Sequence, residues 1–216
     1  APRSPLDAAR FVFNPQLSLT VDGIVNSAAA PGGRGAQFDI AASAIEIRAA
    51  AGPLTENVLT LTADTLANLN ANSLFIGGVR EENVDGTTTL KVAARNIEIG
   101  SGVSLTAPEL VLAVGGNGSR LVVDAGASLS ATGTLADTTS SDYRVGFGPA
   151  AAGYDQTGIG SVLRLASGPE RLVARSVDPN LSAPDLARTQ LQVLGGASLA
   201  ANAAAFNTSG AVNFAD

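Results

Sequence analysis

Tyr143 and Arg144, followed a little further along by Tyr154 and Asp155, form the one grouping of aromatic and charged residues with the makings of a binding surface. Tyrosine and arginine carry much of the binding energy where proteins touch partners, and segments that leave a rigid scaffold commonly do the recognising. The competing role is a loop that covers an apolar flank with its tyrosine rings. For catalysis the choice is narrow, because the chain has no cysteine and no histidine. Thiol nucleophiles, imidazole acid–base chemistry and the usual zinc ligands are therefore missing. Carboxylates are the remaining acid–base groups, and Asp39, Asp64 and Asp124 are the three that stacked repeats would bring together. Aspartate more ordinarily sits in a turn and bonds local backbone. The run Gly115-Gly116-Asn117-Gly118-Ser119-Arg120 carries the glycines of a calcium-binding roll but has arginine where the aspartate belongs, and it occurs once. Gly146-Phe147-Gly148 and Gly158-Ile159-Gly160 lack the strand and helix that a nucleotide loop needs. No catalytic residue, metal ligand or cofactor is assigned, and the partner-binding candidates are Tyr143, Arg144, Tyr154 and Asp155.

Composition sets further bounds. Lys+Arg 13 against Asp+Glu 19 leaves 13 − 19 = −6, which disfavours a nucleic-acid partner. Hydrophobic residues make up 45% but aromatic ones only 4%, with 24 glycines, so the interior must be built in thin layers of Ala, Val, Leu and Ile. No apolar run approaches the roughly 18 residues that would span a bilayer. A chain opening on Ala1 without a basic and apolar leader reads as an internal segment, or as one whose leader has been removed.

The elements that must position these residues repeat. Leu90-Lys91-Val92, Ile97-Glu98-Ile99, Val103-Ser104-Leu105 and Leu110-Val111-Leu112 are short alternating bursts with Gly100, Gly102 and Pro108 between them. Similar units are Phe38-Asp39-Ile40 with Ile45-Glu46-Ile47, Leu59-Thr60-Leu61 with Leu66, Leu121-Val122-Val123 with Leu129, and Leu191-Gln192-Val193 with Leu199. A period of two puts the apolar pair on one face of a strand. Such short strands, mostly without hairpin turns between them, predict an all-β parallel β-helix, a β-solenoid whose coils stack at about 4.8 Å with like residues over like. A glycine-rich β-sandwich is the alternative. Asp85-Gly86 is the hairpin-like exception, inside a charged stretch from Gly77 to Thr88 that reads as a solvated turn. Pro184 to Arg188 has the start of a helical turn.

The organisation predicted is solenoid coils over residues 1–135, a loop-rich excursion over 136–187 that rejoins the sheet at Ser161–Ala166 and Arg171–Arg175, and final coils over 188–216. Neither terminus shows an evident amphipathic cap.

The Gly-Ala-Ser-Leu units at Gly126–Leu129 and Gly196–Leu199, and the run Gly160-Ser161-Val162-Leu163-Arg164-Leu165-Ala166-Ser167-Gly168 followed by Arg171-Leu172-Val173-Ala174-Arg175, resemble repeats of filamentous-haemagglutinin-like large exoproteins. The resemblance implies a right-handed β-helical shaft, export to a bacterial surface, and a role in adhesion or biofilm matrix rather than catalysis. The family's secretion domain carries Asn-Pro-Asn, whereas this chain has Asn14-Pro15-Gln16 and Asp178-Pro179-Asn180, which points to an internal piece of a longer exoprotein. Unpaired strand edges at the ends of such a coil template another chain, so head-to-tail self-association is the expected partnership. A monomeric glycan-binding module using the tyrosines, or a β-helical polysaccharide lyase or hydrolase, are the alternatives.

Overall fold

The computed structural model describes residues 6–26, 28–135, 142–146, 152–182, 184 and 188–215. The helical turn expected from Pro184 lies almost wholly outside them. Among the described residues there are nineteen strands and one short helix, so the protein is all-β in class.

The strands, numbered in chain order, form four sheets. The first runs β1 (Arg10–Phe13), β2 (Gln37–Ile40), β5 (Ser73–Ile76), β10 (Glu109–Gly115), β14 (Gly160–Ala166), β18 (Ala203–Thr208). The second runs β19 (Ala211–Phe214), β16 (Gln190–Val193), β11 (Arg120–Val123), β8 (Asn96–Ile99), β3 (Ala44–Arg48), β4 (Leu59–Thr62). The third is β17 (Ser198–Ala200), β12 (Ser128–Ala131), β9 (Ser104–Ala107), and the fourth is β15 (Val173–Arg175), β13 (Tyr143–Val145), β7 (Thr88–Val92), β6 (Gly78–Glu82). Pairing is mostly parallel, but β14 runs antiparallel to both β10 and β18, and β6 antiparallel to β7. The sheets are therefore mixed rather than wholly parallel.

Like residues do stack. In the second sheet Leu59, Ile45, Ile97, Leu121, Leu191 and Val212 occupy successive register positions. In the first, Phe11, Phe38, Leu74 and Leu110 do the same, with the Phe11 and Phe38 rings stacked 4.7 Å apart. The third aligns Leu105, Leu129 and Leu199. From Asn96 to Ala131 the chain visits the second, third, first, second and third sheets in turn. These columns merge into one core. Leu121 has no exposed surface. Leu121→Ala is expected to cost about 2–5 kcal/mol in equilibrium denaturation, the range for a buried leucine whose neighbours cannot collapse onto the void. A loss under about 1 kcal/mol would mean the column is loosely packed.

A second core lies on the other face of the first sheet, where the fourth sheet packs. Phe75, Val111, Ala113 and Val162 meet Leu90, Val92, Tyr143 and Val145 there. This explains why β10 and β14 are buried along their whole length: both faces are covered, so apolar residues fill both instead of alternating with exposed polar ones, and the charged Glu109 and Arg164 are buried against each other. The glycine pair Gly77–Gly78 makes the junction from β5 to β6 close enough. Gly77 sits at φ 111°, and a Cβ on it would fall 2.0 Å from the Ala113 carbonyl oxygen. The stretch read as a solvated turn is instead the β6–β7 hairpin, turning at Asp85–Gly86, with Arg80 buried beneath it. The segment predicted as an excursion supplies β13 and β15 to the fourth sheet and places β14 inside the first.

The helix α1 (Ala63–Asn68) departs from the strand reading of Leu66. Thr62 caps it by accepting a hydrogen bond from the Thr65 amide at 3.1 Å, and Asp64 sits in its first turn, where a carboxylate suits the helix dipole. Residues before β2 run along this end: Ser18 bridges Thr60, the Thr60 amide donates to Leu17, and the Val25 amide donates to Asn68. This segment partly covers the β4 edge, contrary to the expectation of uncapped ends.

Candidate functional site

The four residues expected to act together are placed at two separate locations. Tyr143 is buried in β13, only 2% exposed, so its ring and hydroxyl face the protein interior. Alternation along that strand turns Arg144 the other way, where it pairs with Asp85 at 3.1 Å. Tyr154 and Asp155 lie on a different loop and are half-buried. The three aspartates are likewise not brought together. Asp39 is in the first sheet, Asp64 on α1, and Asp124 follows β11.

Asp39 does not serve a turn. It is fully buried, because β2 points Phe38 and Ile40 into the first core and Asp39 at the fourth sheet. There it starts a network. Its Oδ1 accepts from Arg80 at 2.6 Å, and its Oδ2 accepts from the Arg80 amide at 2.9 Å and from Arg10 at 2.7 Å. Arg80 also donates to the Ser73 hydroxyl at 2.6 Å, and Ser73 donates onward to Glu109. Glu109 further accepts from the Tyr143 hydroxyl at 3.1 Å and from Arg164 at 2.8 Å. Arg164 and Arg171 lie 5.9 and 5.5 Å from the centre of the Tyr143 ring.

Burial on its own would raise the Glu109 pKa, but the guanidiniums of Arg80 and Arg164 and the Ser73 hydroxyl reverse it, leaving the carboxyl below its ordinary range. Burial, followed by the Glu109 charge, pushes the Tyr143 phenol above its ordinary value, so it stays protonated. Chemically this is a buried ion-pair network that ties the fourth sheet to the first, in which the Nε atoms of Arg80 and Arg171 make no hydrogen bond among the described residues.

The second location is a corner. Ser43, Arg95, Ser119 and Thr189 each stand two positions before a second-sheet column residue, namely Ile45, Ile97, Leu121 and Leu191. The Arg95 amide donates to the Ser43 carbonyl and the Arg120 amide to the Arg95 carbonyl, so the corners are stacked. Ser119 and Thr189 are buried, whereas Ser43 and Arg95 are exposed. The loop carrying Tyr154 folds back over this corner, held by the Asp155 amide donating to Val92 at 2.7 Å. Between corner and loop is a cleft of about 360 Å3, lined by Ser43, Arg95, Gly115, Tyr154, Asp155 and Gln156 among others.

Its floor is glycine for a reason. A Cβ on Gly115 would fall 2.8 Å from that of Asp155, and Gly116, at φ 90°, lies against the Arg95 guanidinium. The Asp155 carboxylate is turned into its own loop, accepting from Thr157 Oγ1 at 2.8 Å and the Gly158 amide at 3.2 Å. Beneath the loop, Arg175 donates to the Gly158 carbonyl and to Asn207, and burial lowers its pKa to about 10. Arg95 was not singled out by the sequence. Its signal is positional: a long cation in a column that elsewhere holds serine or threonine.

The outer face of the second sheet carries like charges. Glu46 and Glu98 are register partners, and burial together with Asp124 and Glu46 raises the Glu98 pKa. A raised carboxyl pKa in the fold means that ionised Glu98 opposes folding, and that this opposition fades as pH falls towards 4.5. Glu98→Gln is therefore expected to raise the thermal midpoint at neutral pH and to leave it unchanged in acid. An unchanged midpoint at pH 7 would show the carboxylates to be screened.

Comparison with family models, curated proteins and solved structures returns no match to this chain.

Proposed function

We propose that the chain is a right-handed parallel β-helical coil acting as a non-catalytic structural or adhesive shaft, exported to a bacterial surface and able to assemble end to end. The supporting observation is the stacking of like residues in register across three sheets, ending in a layer that no further strand covers among the described residues. Leu199, Val212, Phe214 and Phe206 continue the core columns at that end, with Phe214 61% and Phe206 36% exposed. β17, β18 and β19 are the outermost strands of their sheets there, and β1 is outermost in the first sheet at the other end. Strand edges with their apolar layer exposed are templates for a further strand. The resemblance to filamentous-haemagglutinin-like repeats supplies the handedness, the exported location and the adhesive role. In this reading the arrays β10–β14–β18 and β6–β7 are local reversals added to the coil.

A lyase reading has little support, because Asp39 is enclosed by Arg10 and Arg80 and lies apart from Asp64 and Asp124. Electron microscopy across a concentration series, with light scattering for mass, tests the shaft. Rods that lengthen with concentration, with a subunit repeat in multiples of about 4.8 Å, are expected. Particles of monomer mass at every concentration would overturn assembly.

A further inference from the structure

We infer that the corner cleft between Arg95 and Tyr154 binds an acidic saccharide, a hexuronate unit. This goes beyond the shaft reading and does not depend on it.

The cleft combines what such a ligand requires. A uronate presents a planar carboxylate beside a sugar ring with an apolar face and hydroxyl edges. Arg95 offers a planar fork of donors matched to a carboxylate, and no carboxylate pairs with it among the described residues. Tyr154 provides an aromatic ring on the loop, and the Ser43 hydroxyl stands beside Arg95 at the corner. Gly115 and Gly116 leave the floor without side chains, so a flat ring can approach the backbone.

Charge points the same way. The one carboxylate in the lining, Asp155, is held by Thr157 and Gly158, and Arg175 lies under the same loop. The lining thus carries one cation and one anion, and with the Asp155 oxygens engaged by their own loop it is the Arg95 guanidinium that can meet an anionic ligand. A volume of about 360 Å3 suits one or two sugar units rather than a long groove.

The test is calorimetric titration of the 216-residue chain with galacturonate tetrasaccharide, a neutral glucose tetrasaccharide and sodium sulfate, using wild type, Arg95→Gln, Tyr154→Ala and Gly115→Ala. Binding of the uronate alone is expected. Each of Arg95→Gln and Tyr154→Ala should weaken it about tenfold or more, the loss of one charge-assisted contact or one stacking surface. Gly115→Ala, which pushes Asp155 and its loop off the corner, should abolish it. Circular dichroism melts confirm that each variant is folded. No uronate binding by the wild type, equal binding by a folded Arg95→Gln, or equal binding of sulfate would each overturn the proposal.

Discussion

Replacing Glu109 with glutamine is expected to cost about 3–5 kcal/mol of stability, the range for removing one partner from a buried ion pair. Glu109 is 1% exposed and receives hydrogen bonds from Ser73, Tyr143 and Arg164. The amide keeps the shape but loses the charge, so Arg164, itself fully buried, is left without a counter-ion. Urea denaturation followed by circular dichroism and tyrosine fluorescence reads the change; with two tyrosines and no tryptophan in the chain, buried Tyr143 is a reporter of the network itself. A midpoint shift worth less than about 1 kcal/mol would show that the network is tolerated rather than structural. The double variant Glu109→Leu with Arg164→Met separates charge from packing. Removing both charges together should cost less than the two single losses added, because neither is then left buried alone.

The same residue sets a pH limit. Its folded pKa lies below the ordinary 4.5, so its stabilisation is complete above about that pH and is lost as pH falls through the folded value. At the alkaline end the raised Tyr143 pKa works oppositely: stability is intact below the ordinary 10.0 and declines as pH rises beyond it. Glu109→Gln should flatten the acid limb of the stability profile.

The strand content was legible because alternation survives wherever one face meets the core, as in Ile97-Glu98-Ile99 or Leu191-Gln192-Val193. It misled where both faces are covered. In Phe38-Asp39-Ile40 the polar residue between two core residues reads as solvent-facing, yet it points into a second layer made of strands far along the chain. A period of two distinguishes two faces, not which of them meets water. Arg80 and Tyr143 were placed at the surface for the same reason: arginine and tyrosine are ordinarily exposed, and nothing local announces buried partners contributed by distant strands. Parallel versus antiparallel pairing of β14 was equally hidden, since it depends on where the chain re-enters the sheet and not on its pattern. The Thr62 cap of α1 was within reach, as a threonine with an acidic residue in the next turn, but strand alternation in Leu59-Thr60-Leu61 obscured it. Of the site candidates, Tyr154 and Asp155 do border a cleft, while Tyr143 and Arg144 belong elsewhere.

The largest change in behaviour is expected from Phe206→Lys combined with Phe214→Lys, which should abolish the end-to-end association proposed above and leave a monomer. The two rings meet edge-on at 5.2 Å across the end of the core columns. Phe206 is the register partner of Leu163, and Phe214 of Val193, so both occupy core positions in a layer with a neighbour on one side only. Covering an aromatic ring contributes at most about 1.5–3 kcal/mol, so the two rings supply a large share of the roughly 8 kcal/mol that micromolar association requires, the hydrogen bonds of an added strand and further apolar contact making up the rest. Lysine at both sites opposes this twice over. It removes the apolar layer, and in an approaching copy it forces two charges into a dry contact, the device natural sheets use to protect their edges. Within the chain little should change, since both rings are already partly in water; the thermal midpoint at low concentration is expected to stay within a few degrees of wild type, as for surface substitutions generally. Sedimentation velocity across a concentration series is the deciding measurement. If the double lysine variant associates as strongly as the wild type, the contact lies elsewhere, and the β1 edge with Val12 exposed beside it becomes the surface to change next.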